Sequence, residues 1–342
     1  MKRLIFCVLC LMLASQALAA SKELYVYNWS EYMPDSVLAD FTKETGIKVI
    51  MSTYDSNEAL YAKIRMVEAK GYDLIVPSTD FVARMSKEGL LRPLDKSKLT
   101  NLGNLDPQLL NQAFDPDNTF SVPYMWGSTA IAVNTKDPAA AQLTSFADLW
   151  KPELAGKILL PNDMRGVLGM GLKRLGYSLN ETDPAKVAEA CELLMPLMAS
   201  VRVFNSDSPK QALLNNEVMA AVLWNGEAYV AAGENSDIRY VYPAEGFSLW
   251  VDNLCIPKNA ANVENAHLFI DYLLRPEVAA FICQEMGYSS PNLAAQATLP
   301  EDVRGNSIVY PAKTDMARGE FETDLGPAVK AYEECWMRLK TR

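Results

Sequence analysis

Apolar residues in the first quarter of the chain alternate between runs typical of strands and spacings typical of helices. β-branched and aromatic residues at 24–29, 47–51 and 73–76 predict three short strands. Apolar residues at helical spacing predict helices over 34–46 and 55–71, each closed by a glycine. The β-α-β-α-β order predicts an open, mostly parallel α/β sheet, and such sheets bind ligands beyond the carboxyl ends of their strands.

The rest of the chain continues this alternation without an internal repeat or a long flexible linker. A helix over 77–89 follows the third strand. The helix before it begins with Asp55-Ser56-Asn57-Glu58, which resembles a capping box with Asp55 as the N-cap. The pattern predicts two lobes joined by crossing strands. The remaining predicted strands are 127–134, 157–160, 218–224 and 249–257, and the remaining predicted helices are 145–150, 185–199, 263–274 and 277–286.

Residues 1–20 have the composition of an export signal. A Lys-Arg pair precedes an apolar run over 4–14, and Ala17-Leu18-Ala19 matches a small-x-small cleavage site. The two cysteines of the apolar run come too early for a lipid anchor, and no later segment approaches the roughly 20 apolar residues of a membrane span. We therefore expect an exported, soluble and unanchored protein, cleaved near Ala19 or Ala20.

Charge and histidine content exclude several classes of function. The chain has 32 basic and 42 acidic residues, and removal of the leader lowers its net charge from -10 to -12, because the leader carries two bases and no acid. Such acidity disfavours nucleic-acid partners and permits a cationic ligand. His267 is the one histidine, which excludes zinc sites with two histidines. It is predicted to be an ordinary residue on a helix surface.

Four cysteines remain after the leader, and they are far apart in the sequence, without a metal-binding spacing. An oxidising compartment permits three pairings, but a core of this size does not need them. The sequence favours free buried thiols over two bridges, and no metal or cofactor is predicted. The four are Cys191, Cys255, Cys283 and Cys335.

Aromatic and acidic side chains recur together beside the predicted strands. The set comprises Trp29-Ser30-Glu31-Tyr32, Ser78-Thr79-Asp80, Asp163, Trp224, Trp250 and Asp252. Trp250 and Asp252 are two apart in one strand and therefore share a face. Carboxylates bind ammonium groups and indole rings attract cations, so the set predicts a cleft for a flexible organic cation. Each residue also has a structural alternative, as a core aromatic or a helix N-cap, and spacing alone leaves both open.

The order of short motifs after the leader is more specific than any single motif. The motifs are Tyr27-Asn28-Trp29-Ser30-Glu31-Tyr32, the stretch 41–49, Tyr72-Asp73-Leu74-Ile75-Val76-Pro77-Ser78-Thr79, Asn104-Leu105-Asp106-Pro107, the stretch 147–153, Phe204-Asn205-Ser206-Asp207, Trp224-Asn225-Gly226, Gly287-Tyr288 and the stretch 291–295. Over essentially all residues after the leader, the chain resembles the polyamine-binding proteins of bacterial ABC importers, a family of periplasmic solute-binding proteins.

The resemblance implies a two-lobed periplasmic binding protein fold of type II, with a ligand cleft at the hinge between the lobes. The first lobe would comprise 21–127 plus 252–296, and the second 128–251 plus 297–342. The family's aromatic box corresponds to Trp29, Tyr32, Trp224 and Trp250, and its amine-binding acids correspond to Glu31, Asp163 and Asp252. The full set of predicted ligand-binding residues is Trp29, Ser30, Glu31, Tyr32, Ser78, Asp80, Asp163, Ser206, Trp224, Trp250, Asp252, Tyr288 and Glu322.

Three positions depart from the family pattern of a spermidine site. Asp80 replaces an aromatic residue, Gly166 replaces a glutamate and Glu322 replaces a glutamine. These positions correspond to the end of the site that reads the aminopropyl arm of a longer polyamine. Asp80 and Glu322 are candidates to replace the missing carboxylate, and the choice between putrescine and spermidine stays open.

The function implied by the resemblance is capture of putrescine or spermidine in the periplasm and delivery to an inner-membrane ABC permease, by a monomer without enzymatic activity. Two alternatives belong to other classes. A periplasmic polyamine sensor would use the same fold and cleft to present its ligand to a membrane receptor. A secreted glycosidase would use paired carboxylates beside aromatic platforms, although the full-length resemblance speaks against it.

Overall fold

Ten strands are present in residues 21–341, the part of the chain that the computed structural model describes; the predicted leader lies outside it. Within this part, no helix combines the length and apolar composition needed to cross a membrane. The strands are β1 (Glu23–Trp29), β2 (Lys48–Tyr54), β3 (Leu74–Ile75), β4 (Ser121–Asn134), β5 (Ile158–Leu160), β6 (Val201–Phe204), β7 (Ala220–Trp224), β8 (Ile238–Val241), β9 (Phe247–Cys255) and β10 (Gly319–Phe321).

Two parallel groups of strands flank a long antiparallel pair. β1 pairs in parallel with β2 and β3, and β5 pairs in parallel with β6 and β7. Between the groups, β4 and β9 run antiparallel: Ile75 of β3 pairs with Cys255 of β9, and Thr129 of β4 pairs with Trp224 of β7. The predicted parallel sheet is therefore confirmed within each group, and β4 and β9 are the crossing strands.

Helices connect most of these strands, and short 3₁₀ turns lie between them. The first helix begins at Asp35 and ends before Gly46, whose φ of 72° closes it as predicted. The α-helices are α1 (Asp35–Thr45), α2 (Asn57–Met66), α3 (Thr79–Lys87), α4 (Met164–Arg174), α5 (Pro184–Leu194), α6 (Lys210–Leu214), α7 (Asn225–Glu234), α8 (Val263–Leu273), α9 (Pro276–Met286), α10 (Leu293–Thr298), α11 (Glu301–Arg304), α12 (Lys313–Met316) and α13 (Val329–Lys340).

Buried apolar side chains form separate clusters on the two sides of the crossing strands. One large cluster draws its buried members from 24–125 and 250–288. Another draws its buried members from 131–222 and 325–339. After β9, residues up to 288 pack on the first of these clusters and residues 325–339 pack on the second. The cavity described below is lined by residues from the sequence regions of both clusters.

The structure corrects two local predictions about helix ends. Ser56, not Asp55, is the N-cap of α2, because Ser56 Oγ accepts a hydrogen bond from the Ala59 amide at 3.3 Å. The predicted helix over 185–199 is α5 followed by a 3₁₀ turn at Met195–Ser200, and the predicted helix over 145–150 is also a 3₁₀ turn.

His267 lies in α8 as predicted but is buried, not on the surface. Its side chain is 2% exposed. The Asp95 amide donates to His267 Nε2 at 2.9 Å, so Nδ1 carries the proton and donates to the Val263 carbonyl at 2.8 Å. Both ring nitrogens are thus used to join α8 to the segment around Asp95, which gives the residue a structural role.

The four cysteines divide into one disulfide and two buried thiols. Cys191 of α5 and Cys335 of α13 form a disulfide, so the expectation of free thiols is wrong for this pair. Cys255 and Cys283 are free and buried, as expected. Sequence spacing could not identify the pair, because α5 and α13 are brought together only by packing on one core.

Candidate functional site

A cavity with about 650 Å³ of space between its atoms, part of it open to solvent, lies at the carboxyl ends of the parallel strands. Its lining includes Trp29 at the end of β1, Asp163 after β5 and Trp224 at the end of β7. Trp250 and Asp252 enter it from the middle of β9 and share a face as predicted. The position agrees with the rule that open α/β sheets bind ligands beyond their strand ends.

Eleven of the thirteen predicted ligand-binding residues line this one cavity. They come from positions as far apart as 29 and 322, so only the folded chain brings them together. The eleven are Trp29, Ser30, Tyr32, Ser78, Asp163, Ser206, Trp224, Trp250, Asp252, Tyr288 and Glu322.

Glu31 and Asp80 do not line the cavity, which differs from the prediction. Glu31 forms an ion pair with Lys210 and accepts a hydrogen bond from Ser208 Oγ at 3.3 Å. Asp80 forms a buried ion pair with Arg165, with 3.3 Å between Nη1 and Oδ2. Each carboxylate is thus engaged by a cation of the chain itself.

The aromatic walls of the cavity are held by contacts with one another and with the sheet. The rings of Trp29 and Trp224 meet edge to face at 5.9 Å, and those of Trp250 and Tyr288 meet at 5.6 Å. Trp29 Nε1 donates to the Val76 carbonyl at 3.0 Å and Trp250 Nε1 donates to Thr129 Oγ1 at 3.1 Å. These hydrogen bonds fix the indoles and leave their faces for apolar or cationic groups.

A close approach of backbone and ring also fixes Tyr288. A Cβ atom at Gly226 would lie 2.4 Å from the Tyr288 ring, so only glycine fits there. The motif Trp224-Asn225-Gly226 therefore supplies one aromatic wall and makes room for another.

Asp252 is buried beneath the aromatic walls and receives two hydroxyl groups. Tyr32 Oη donates to Asp252 Oδ2 at 2.8 Å, and Ser78 Oγ donates to Oδ1 at 2.5 Å. Burial raises the pKa of Asp252 to about 7, against the opposing effect of these two hydrogen bonds. A positive charge beside this carboxylate would stabilise its ionised form.

Three further carboxylates lie in the same cavity and repel one another. Burial and the neighbouring Glu58 raise the pKa of Asp163 to about 7. Burial, with Asp80 and Glu322 adding to it, raises the pKa of Glu58 to about 7. Burial raises the pKa of Glu322 to about 8, since Arg165 only partly offsets it. Asp163 also caps α4, because its Oδ1 accepts from the Arg165 amide at 2.9 Å, so its structural and cavity-lining roles coexist.

Arg165 is the one cation among the residues that line the cavity in the described part of the chain. Its guanidinium donates to Asn180 Oδ1 at 2.7 Å and to the Thr323 carbonyl at 2.9 Å, besides its pair with Asp80. Arg165 is 5% exposed, and these partners fix its position. Asp80 is therefore committed to Arg165, whereas Glu322 remains in the cavity.

Six cavity-lining residues were missed by the sequence reasoning. Asn57 and Glu58 lie at the start of α2, and the sequence motif around them was interpreted only as a helix cap. Arg165 follows Asp163 directly, and Asp207 follows Ser206, so proximity to predicted residues was an available signal. The six are Asn57, Glu58, Phe81, Arg165, Asp207 and Glu227.

In residues 21–341, no group of three or more His, Cys, Asp and Glu side chains is arranged to hold a metal ion. The carboxylates of the cavity lie among aromatic rings and hydroxyl groups, which suits an organic cation better than a metal ion. The cavity therefore offers negative charge and apolar walls to the same ligand.

Comparison with known proteins shows which family this chain resembles over most of its length. The model of the bacterial extracellular solute-binding protein family matches residues 36–308. The chain is 48% identical, over 317 residues, to the spermidine/putrescine-binding periplasmic protein of Escherichia coli K12, with 93% of this chain and 91% of that protein covered. It is 42% identical, over 328 residues, to spermidine/putrescine-binding periplasmic protein 1 of Haemophilus influenzae, with 96% and 91% covered.

A solved structure shares the fold closely. The putative spermidine/putrescine ABC transporter protein of Listeria monocytogenes superimposes with a TM-score of 0.89 at 39% sequence identity, covering 94% of this chain and 99% of that one. The two-lobed fold expected from the sequence is confirmed by this likeness.

Proposed function

We propose that this chain, which belongs to the bacterial extracellular solute-binding protein family, is the polyamine-binding component of an ABC importer and works in the periplasm. It would bind putrescine or spermidine between its two lobes and deliver the ligand to an inner-membrane permease. The names of its relatives, which bind spermidine and putrescine, support the ligand class.

The observation that carries the proposal is the charge of the cavity. Six of its lining residues bear carboxylates and one bears a guanidinium, among the residues described. Glu227 is paired with Lys210 and Asp207 is exposed, so four buried or half-buried acids have no internal cation of their own. A buried carboxylate is stable in ionised form only when a positive charge or several donors compensate it. A ligand with ammonium groups supplies that charge. The six acids are Glu58, Asp163, Asp207, Glu227, Asp252 and Glu322.

The same charge balance disfavours amino acids and anions as ligands. A zwitterionic ligand needs a cation to bind its carboxylate, but Arg165 is held by Asp80, Asn180 and Thr323. Neutral sugars would leave the carboxylates uncompensated. A polyamine carries no anionic group, and its methylene segments match the indole faces of Trp29, Trp224 and Trp250.

We propose the lobe boundaries given by the sequence, 21–127 with 252–296 and 128–251 with 297–342. The separate buried clusters support this division. One small cluster, which joins Cys283 to buried residues at 299–309, spans the boundary at 296 and connects the lobes there. Ligand contacts from both lobes would favour the closed arrangement, which the permease would recognise.

Calorimetry on the full mature chain with putrescine, cadaverine, spermidine and spermine tests the proposal. At least one of them should bind and raise the melting temperature, since a ligand of the folded state stabilises it. Trp224→Ala should weaken that binding by about 10-fold or more, because it removes one aromatic wall. Trp336→Ala is the matched control: it removes an indole that contacts Phe204, outside the cavity.

Absence of binding by the wild-type chain to all four amines would refute the ligand class. Equal affinity in wild type and Trp224→Ala would refute the role of this cavity. Transport in reconstituted vesicles with the cognate permease would then test delivery, and uptake that does not depend on this chain would refute the importer role.

A further inference from the structure

A buried lysine stands between two carboxylates, one of which lines the cavity. Lys210 Nζ forms an ion pair with Glu31 and another with Glu227, the latter at 3.2 Å. Lys210 is 7% exposed and Glu227 is 6% exposed. Burial opposes the charge of Lys210, but Glu227 and Glu31 hold the pKa of its ammonium above the usual value. The lysine is therefore a permanent internal cation.

The three residues come from both sides of the cleft. Glu31 follows β1, whose Leu24 and Val26 are buried in one core cluster. Lys210 begins α6 and Glu227 lies in α7, and both helices pack on another cluster through Leu213 and Ala228. Glu31 has a φ of 49°, a left-handed conformation that a glutamate adopts only when its surroundings hold it.

An outer groove adjoins the central cavity on the side of this cluster. Trp29, Tyr32 and Glu227 line both spaces, whereas Glu31 and Lys210 line only the groove. The groove carries further acids, Asp35 and Glu285, so it would attract a polycation that extended beyond the central cavity.

We propose that Lys210 is a specificity-determining residue that limits the length of the ligand. Its ammonium occupies Glu31 and Glu227, the carboxylates that a third ammonium group of a longer polyamine would otherwise reach. Glu31 is thus not available to a ligand, and a diamine held within the central cavity is favoured over a triamine. This inference rests on the proposed function, since it concerns which polyamine the same cavity selects.

A second internal ion pair, Arg165 with Asp80, has the same consequence. Arg165 holds Asp80, so the carboxylate of Asp80 does not receive a ligand ammonium. Apart from the exposed Asp207, the acids left for a ligand are Asp252, Asp163 and Glu322 together with Glu58. Two internal cations therefore confine the ligand charges to these acids.

Lys210→Met tests the inference, because methionine keeps the length and apolar stem of lysine and removes its charge. Calorimetry gives the ratio of spermidine affinity to putrescine affinity. We expect this ratio to rise by about 10-fold or more, since the buried Glu227 and the exposed Glu31 lose their cation and attract the third ammonium. Lys210→Arg keeps the charge and should retain the wild-type ratio.

Lys157→Met is the matched control, because Lys157 pairs with Asp137 at 2.8 Å and lines neither space. Its ratio should equal that of wild type. If Lys210→Met does not fold, the double variant Lys210→Met with Glu227→Gln removes the uncompensated buried charge and leaves Glu31 available. The ratio of this variant should still exceed the wild-type ratio.

An unchanged ratio in a folded Lys210→Met or double variant would overturn the inference. So would a ratio that rises equally in Lys210→Arg, because charge would then not be the cause. These results leave polyamine binding itself intact, whereas a wild-type chain that binds none of the amines refutes the proposed function instead.

Discussion

Replacement of Asp252 by asparagine should raise the stability of the ligand-free protein and at the same time weaken ligand binding. Asparagine has nearly the same shape as aspartate but carries no charge. The carboxylate is 4% exposed, and burial raises its pKa from 3.8 to about 7. Because the ionised form is disfavoured in the folded state, Asp252 reduces the stability of the ligand-free protein at neutral and higher pH.

The magnitude follows from the pKa shift and from the two hydroxyl partners. Each pKa unit corresponds to about 1.4 kcal/mol, so a rise from 3.8 to about 7 corresponds to a penalty on the order of 4 kcal/mol. An amide oxygen can replace only one of the two carboxylate oxygens that accept from Tyr32 and Ser78, which costs about 1 kcal/mol. A net gain of about 1–3 kcal/mol would raise the melting temperature by roughly 2–6 °C.

Binding should change in the opposite direction. Removal of one partner of a buried charge pair costs about 2–5 kcal/mol, so polyamine affinity should fall by about 30-fold or more. Scanning calorimetry at pH 8 without ligand and titration calorimetry with putrescine measure the two effects. Asp302→Asn is the matched control, because Asp302 is exposed and lies outside the cavity.

A ligand-free Asp252→Asn variant that melts below wild type at pH 8 would refute the stability argument. A variant that binds putrescine as tightly as wild type would refute the role of Asp252 as an ammonium partner. The two outcomes are independent, since one concerns the folded protein alone and the other concerns the ligand.

Three other results are expected. As pH falls from about 8 to 5, scanning calorimetry should show increasing ligand-free stability and titration should show weaker putrescine binding. The pKa values of Asp163, Asp252 and Glu322 are raised to about 7 to 8, so the folded protein takes up protons at a higher pH than the unfolded chain does. Stability and affinity that do not change with pH would contradict this. Replacing Cys191 and Cys335 by alanine opens a link between residues 144 apart and should lower the unfolding free energy in urea by up to about 5 kcal/mol, with putrescine affinity unchanged. Gly166→Glu should raise the spermidine-to-putrescine affinity ratio relative to Gly166→Ala, because it adds a carboxylate, whereas the Cβ that lies 2.8 Å from Asp163 Oδ2 is present in both variants. Equal ratios in the two variants would remove a carboxylate at position 166 from the determinants of ligand length.

Helices with many glycines were not predictable from local preference. No helix was predicted over α4, which contains three glycines, each unfavourable in a helix by about 1 kcal/mol. In the fold, a Cβ at Gly169 would lie 2.9 Å from Leu179, and one at Gly171 would lie 2.9 Å from Leu194. These glycines permit close packing of α4, so tertiary contacts override the local preference.

The ion pairs formed by the predicted ligand acids could not be predicted from the sequence either. Glu31 and Asp80 were predicted as ligand acids because they stand beside aromatic residues after strands. Their cations, Lys210 and Arg165, are 179 and 85 residues away and reach them only in the folded chain. A sequence shows which residues carry charge, but only the structure shows which charges are already compensated.

The sequence by itself determined the α/β class, the family resemblance and most residues of the cavity, because strand periodicity and the motifs after strand ends are local properties. The tertiary structure decided the disulfide, the burial of His267 and the division of the acids into paired and unpaired groups. Each of these depends on contacts between segments that are far apart in the chain. The order of residues in the sequence does not show which distant segments come into contact.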